Sequence, residues 1–220
     1  MSLATFLKGL KRGTTGDELA LQTNQYGALY TQKDLPDYAD LVRRNLVWRV
    51  SETTAVAALI GSTYPTTASQ LVLYNNESEG SGKSYIILGV TASQIAAGAA
   101  LASWHIIFGV SQIKQTTLPT GDLVASVIRP MRGNGGAYSG KALVDLAPTL
   151  NVDPIYQPLP FGINASNNVA SLAGPGIAVR VDGLIVLPPS SQLALAVVAS
   201  DVGVTTRLGF IWAELYLDLP

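Results

Sequence analysis

The chain lacks cysteine entirely and has a single histidine, so no disulfide framework, thiolate metal site or histidine cluster is available to it. Charge is also scarce. Charged residues make up 13% of the 220 positions, against about 25% in ordinary globular domains, while 48% are hydrophobic. A chain so poor in charge is expected to hide much of its surface in an assembly. The net charge of -1 argues against nucleic acid as its main partner. Basic residues are unevenly placed: seven of fourteen (Lys8, Lys11, Arg12, Lys33, Arg43, Arg44, Arg49) fall in the first fifty positions. That asymmetry suits docking on an acidic surface.

No long helical pattern stands out, but period-2 alternation does. Ile177, Val179 and Val181 alternate with Ala178, Arg180 and Asp182. Leu193, Leu195 and Val197 repeat the pattern, as do Ile211, Ala213, Leu215 and Leu217. RNLVWRV, SQLVLYNN, DLVASVIRP and KALVDLA read as further strands, separated by Gly, Pro, Asn and Asp. An all-β body is therefore expected. The opposite strand faces are apolar too: Ala194, Ala196 and Val198 are small, and Phe210, Trp212 and Tyr216 are aromatic. Both faces then need cover, which points to contacts between copies.

Residues 84–113 carry no formal charge and are long enough to cross a bilayer as a helix. However, β-branched and aromatic residues cluster in SYIILGVTAS and SWHIIFGVSQ, around the small-residue segment QIAAGAALA. A β-hairpin is expected here, with no membrane partner. The opening MSLATFLKGLKR has a short apolar run followed by charges and does not read as a secretory leader. Residues 1–40 read as an arm, with Leu3, Phe6, Leu7 and Leu10 at helical spacing, and residues 41–220 as the β domain. Residues 147–176 hold five prolines and one charge yet are rich in apolar side chains. Ile155, Tyr156 and Phe161 are expected to pack against a neighbouring subunit.

Catalytic patterns are weak throughout. EGSGKS (Glu79 to Ser84) has Glu77 where a phosphate loop needs glycine, and strand residues follow it. RGNGGAYSG fits no dinucleotide register, because Tyr138 falls where glycine is required. His105 lies between Trp104 and Ile106 with no evident partner. Acids of the body (Glu52, Asp122, Asp145, Asp182, Asp201, Glu214, Asp218) are scattered, and nothing marks a carboxylate pair. Neither an enzyme nor a cofactor is expected. Trp48, Trp104 and Trp212 are the residues on which a sugar-stacking platform would have to rest.

In order and spacing, the chain resembles the jelly-roll cement, or decoration, proteins of tailed-phage capsids. The resemblance is carried by LQTNQYGALYTQ with Asn24, Tyr26 and Gly27, and by ASQLVLYNNESEGSGKSYIILGVTAS and AAGAALASWHIIFGV. It continues in GLIVLPPSSQLALAVVAS with Pro188 and Pro189, and in FIWAELYL with Trp212 and Glu214. Ala28 stands where such proteins often carry an acid. The resemblance implies an antiparallel jelly-roll β-sandwich of about eight strands with an extended N-terminal arm. It also implies a homotrimer on the outer surface of a virion assembled in the host cytoplasm, clamping neighbouring major capsid proteins.

On that reading, Phe6, Leu7, Lys8, Leu10, Lys11, Arg12, Tyr26 and Tyr30 would contact the shell. Ala194, Ala196, Val198, Phe210, Trp212, Tyr216, Ile155, Tyr156 and Phe161 would form the trimer interface. The alternatives are a carbohydrate-binding or host-attachment module, such as a head fibre or tail component, and a jelly-roll major capsid protein.

Overall fold

The computed structural model describes residues 38–60, 63–96, 102–111, 128–150, 153–159, 165–167, 176–201 and 203–217. The chain divides between Ala39 and Asp40, and the unit from Asp40 onward is a β-sandwich. One short helix, α1 (Ala39–Arg43), precedes β1 (Val47–Ser51), β2 (Val56–Ala57), β3 (Leu59–Ile60), β4 (Leu71–Asn75), β5 (Lys83–Ala96) and β6 (Ala102–Ser111). Then come β7 (Arg129–Pro130), β8 (Ala142–Leu146), β9 (Gln157–Pro158), β10 (Ala165–Asn167), β11 (Gly176–Leu187), β12 (Gln192–Ala199) and β13 (Thr205–Tyr216).

Eight of these strands form a jelly roll. Early strands pair with late ones in nested order: β1 with β13, β4 with β12, β5 with β11, β6 with β10. Successive pairs alternate between the two sheets, as when a long two-stranded ribbon is wrapped around a core. Contacts between β13 and β5 and between β12 and β6 close the two sheets, giving the orders β11-β5-β13-β1-β7 and β10-β6-β12-β4-β8. The stretch between β6 and β10 supplies β7 and β8, which extend each sheet by one edge strand. β7 contains Pro130, whose missing N–H suits an edge.

Residues 84–113 contain both expected strands, but β5 and β6 do not form a hairpin. They lie in opposite sheets. Period-2 patterning locates strands but carries no information about which strand is the partner.

The core lies between the sheets. Val50, Ile87, Val90, Phe210 and Trp212 from one sheet meet Leu73, Trp104, Ile106, Leu193, Leu195 and Val197 from the other. The expected inward residues of β11 and β12 are therefore the observed ones. In β13 the two faces are reversed. Leu208, Phe210 and Trp212 point inward and are almost fully buried, while Ile211 and Leu215 are only half-buried. Sheets packed face to face stand about 10 Å apart, and large rings fill that gap better than branched aliphatics. Phe210 and Trp212 are therefore core residues, not surface for a trimer contact.

Ala194, Ala196 and Val198 do face away from the main core, yet all of β12 is buried. The cover comes from the same chain. Leu150 and Tyr156 pack with Val72, Ile107, Ala194, Ala196 and Val198 in a second apolar cluster. The Tyr156 hydroxyl donates to the Ala68 carbonyl at 3.0 Å. Pro154 sits so close over Gly109 that a Cβ there would lie 2.5 Å from the proline Cβ. In the described part of the proline-rich stretch, Leu150, Pro154 and Tyr156 pack on their own chain's sheet, where contact with a neighbouring subunit was expected. A small-residue stripe accepts a loop as readily as a neighbour, because either removes the same apolar area from water.

Phe210→Ala is expected to cost about 3–5 kcal/mol in urea unfolding, and Ile211→Ala about 1 kcal/mol or less. The reverse ranking would show that β13 presents its other face to the core.

Candidate interaction surface

Among the described residues, a groove of 310 Å³ lies between β6 and β11, lined by Phe108, Val110, Leu159, Val181, Ile185 and Leu184. Leu159 and Val181 belong to the main core, and Phe108 and Ile185 pack against it. The groove is thus a window onto the core, and its lining is almost wholly apolar. β11 bulges beside it. The ladder to β5 breaks between Arg180 and Ile185, where Asp182 and Gly183 adopt φ of 50° and 83°. This bulge thrusts Leu184 outward, leaving its side chain 71% exposed. A bulge on an edge strand also interrupts the row of free backbone groups that another strand would pair with.

Among the described residues, two other large apolar residues are as exposed as Leu184. Tyr216, at the end of β13, is 78% exposed, and Ile155 is 72% exposed. Ile155 has φ of 53°, in the left-handed region that β-branched residues avoid. Its N–H is held by Asp153 Oδ1 at 2.8 Å, and its neighbours Pro154 and Tyr156 are buried on the sheet. The loop's own packing therefore forces an isoleucine into solvent at a conformational cost.

Of the residues expected at a trimer contact, then, Ile155 and Tyr216 are accessible. Ala194, Ala196, Val198 and Tyr156 are covered by the chain itself, and Phe210 and Trp212 are core. Phe161 and the arm residues Phe6, Leu7, Lys8, Leu10, Lys11, Arg12, Tyr26 and Tyr30 lie outside the described residues. Leu184 was missed because the alternation read through Asp182 gives no sign of the bulge at Asp182 and Gly183 that exposes the next side chain. Trp48, Trp104 and Trp212 are all buried, so none is available to stack on a sugar.

The titratable groups inside the body serve the fold. At one end, Glu214 Oε1 accepts from the Tyr138 hydroxyl at 2.6 Å and Trp212 Nε1 at 3.3 Å, and Oε2 pairs with Lys83 at 2.7 Å. Burial would lower the Lys83 ammonium, but its hydrogen bond to Glu214 and the charges of Glu214 and Glu77 hold it above its usual value. The Lys83 of EGSGKS is therefore an internal counter-ion, not a phosphate ligand. Tyr138 also accepts from the Ala142 N–H at 2.8 Å, so the network pins the stretch between β7 and β8 to β13. Burial pushes the Tyr138 and Tyr85 phenols upward. His105 lies beside Tyr64, with Nε2 3.4 Å from the hydroxyl, and burial lowers its pKa. Among the described residues, no group of three or more His, Asp or Glu side chains could hold a metal ion, and no helix is long and apolar enough to cross a membrane.

Glu52 is different. It is 3% exposed, Oε2 accepts the Leu208 N–H at 2.8 Å, and Oε1 has no hydrogen-bond partner. Burial outweighs that hydrogen bond and the Arg207 charge, pushing the carboxyl up to about 8.

Compared with known families and with curated proteins, the chain matches none.

In the unfolded chain Glu52 loses its proton near pH 4.5; in the sandwich it keeps it to about pH 8. Its contribution to stability is therefore complete below about pH 4.5 and is lost as pH rises to about 8. Thermal melts across this range should show the wild type falling relative to Glu52→Gln. Parallel curves would mean that Glu52 is ionised in the fold.

Proposed function

We propose that the protein is a structural subunit that works by being wedged among copies and partners, as a cement protein on the outside of a viral capsid. The observation that carries this reading is the open apolar groove between β6 and β11, with Leu184 standing beside it. A folded body that leaves core side chains in view gains stability when a partner covers them. The groove is at the low end of ligand-pocket sizes, and its lining has few polar groups to orient a substrate. It suits an apolar side chain from an adjoining subunit. The strained, exposed Ile155 and the exposed Tyr216 fit the same purpose.

In this reading the body forms a trimer through Leu184, Ile155 and Tyr216. The residues before position 40 engage the shell, with Phe6, Leu7 and Leu10 as apolar anchors and Lys8, Lys11 and Arg12 meeting acidic surface. Each contact is modest. A trimer that holds several capsid subunits at once gains through effective concentration, and binding only the assembled lattice opposes its rupture by mass action. The resemblance in sequence order and the jelly-roll topology support the assignment. A sugar-binding role has lost its three candidate tryptophans.

Sedimentation equilibrium should give a trimer at micromolar concentration, and Leu184→Glu should yield smaller species with an unchanged β-sheet circular dichroism spectrum. Removing residues 1–20 should leave the trimer intact while abolishing co-sedimentation with the capsids of its own virus. A wild type that is monomeric and ignores those capsids would overturn the reading.

A further inference from the structure

Around β1, β7 and β13 the acids lie inside the sandwich and the arginines outside it. Glu52 and Glu214 are buried. Arg49 of β1, Arg129 of β7 and Arg207 of β13 are instead exposed on the outward face of the six-stranded sheet. Arg49 and Arg129 are direct cross-strand partners. Like charges placed opposite one another in a ladder destabilise it. Neither arginine has an ion-pair partner among the described residues; the arginine pairs there are Arg43 and Arg44 with Asp40, and Arg180 with Asp182. Arg207 lies within reach of the Glu52 charge, but burial keeps that carboxyl protonated at neutral pH.

The face is concave at this point. A depression of 460 Å³ is lined by Arg49, Arg129, Ser51, Thr53, Thr91 and Ile211, with Met131 alongside. Gly209 shapes its floor: a Cβ there would lie 2.6 Å from Thr91 Oγ1 and 2.7 Å from the Val50 carbonyl. Glycine inside a central strand often marks a close approach of this kind. Guanidinium forks, hydroxyl donors and an apolar floor therefore meet in one groove.

We propose that this groove docks an extended acidic segment of a protein partner, whose carboxylates are taken by Arg49 and Arg129 while an intervening apolar side chain lies on Ile211 and Met131. Guanidinium groups match carboxylates in bidentate geometry, which accounts for two arginines side by side where one would strain the ladder less. A nucleic acid fits poorly: the one aromatic residue of the lining, Phe210, is turned into the core and almost fully buried, so it cannot stack a base, and the chain's net charge is -1. The groove lies on a different surface from the apolar window between β6 and β11. The inference does not depend on the capsid reading and holds for any partner carrying such a segment.

The test uses the full chain and a fluorescein-labelled peptide of alternating Glu and Val, followed by anisotropy at low ionic strength. Saturable binding is expected, weakening as salt is raised to about 0.15 M, where exposed charges are screened beyond about 8 Å. The Gln-Val counterpart and the R49Q/R129Q protein should each bind at least about tenfold more weakly, about 1.4 kcal/mol. Arg43→Gln, which alters an exposed arginine already paired with Asp40, should bind like the wild type. R49Q/R129Q should melt no lower than the wild type, since it removes a like-charge cross-strand pair, so loss of binding will not reflect unfolding. No saturable binding, equal binding by R49Q/R129Q, or tighter binding of a single-stranded oligonucleotide would overturn the proposal.

Discussion

β13 is the strand on which the rest of the sandwich depends. It runs between β1 and β5, joining the first strand of the jelly roll to its last, and it carries Phe210 and Trp212 into the gap between the sheets. Its ladder contacts are among the most distant in sequence, so the chain must close its longest loop before they form. The aromatic pair offsets that cost, because large buried rings remove more apolar surface from water than any other side chains. Glu214, on the same inward face, then fixes the end of the strand by joining Tyr138 and Lys83. A carboxylate with three partners, one of them a cation, tolerates burial there. At the other end Glu52 has one backbone donor and no cation bound to it, and it remains protonated instead.

Strand positions were legible because alternation is local: Val179 and Val181, or Leu193, Leu195 and Val197, announce a pleated strand with one face inward. The choice of face was legible only where one face was polar. In β13 both faces are apolar, and the aliphatic set Ile211, Ala213 and Leu215 looked as suited to a core as Phe210 and Trp212. The decision rests on the spacing between sheets, which no single strand encodes. Sheet assignment failed for the same reason at residues 84–113, where two correctly located strands proved to belong to opposite sheets.

The need for cover on the outer face of β12 was legible, but not its source. Low charge and two apolar faces signalled apolar area that had to be covered. Over β12 the cover is the chain's own loop, through Pro154 and Tyr156, and alternation alone does not distinguish a loop from a neighbour. Leu184 and Ile155 are exposed by positive-φ backbone at Asp182, Gly183 and Ile155, which composition does not reveal for an isoleucine. Arg49 and Arg129 stand far apart in the chain and become neighbours only through the pairing of β1 with β7.

Charge segregation explains how a nearly neutral chain can still present a strongly directional surface. Net charge sums over acids that are buried, paired or placed elsewhere, whereas a partner meets only what one face shows. With Glu214 bound to Lys83 and Glu52 protonated, the two acids buried beneath β1 and β13 contribute little to the field outside them. Arg49 and Arg129 are left to act without an ion-pair partner among the described residues, in a hollow that lowers their exposure to bulk screening. The fold holds both conditions together: β13 carries Glu214 inward and Arg207 outward on alternate faces, so the pleat that buries the acids also displays the bases.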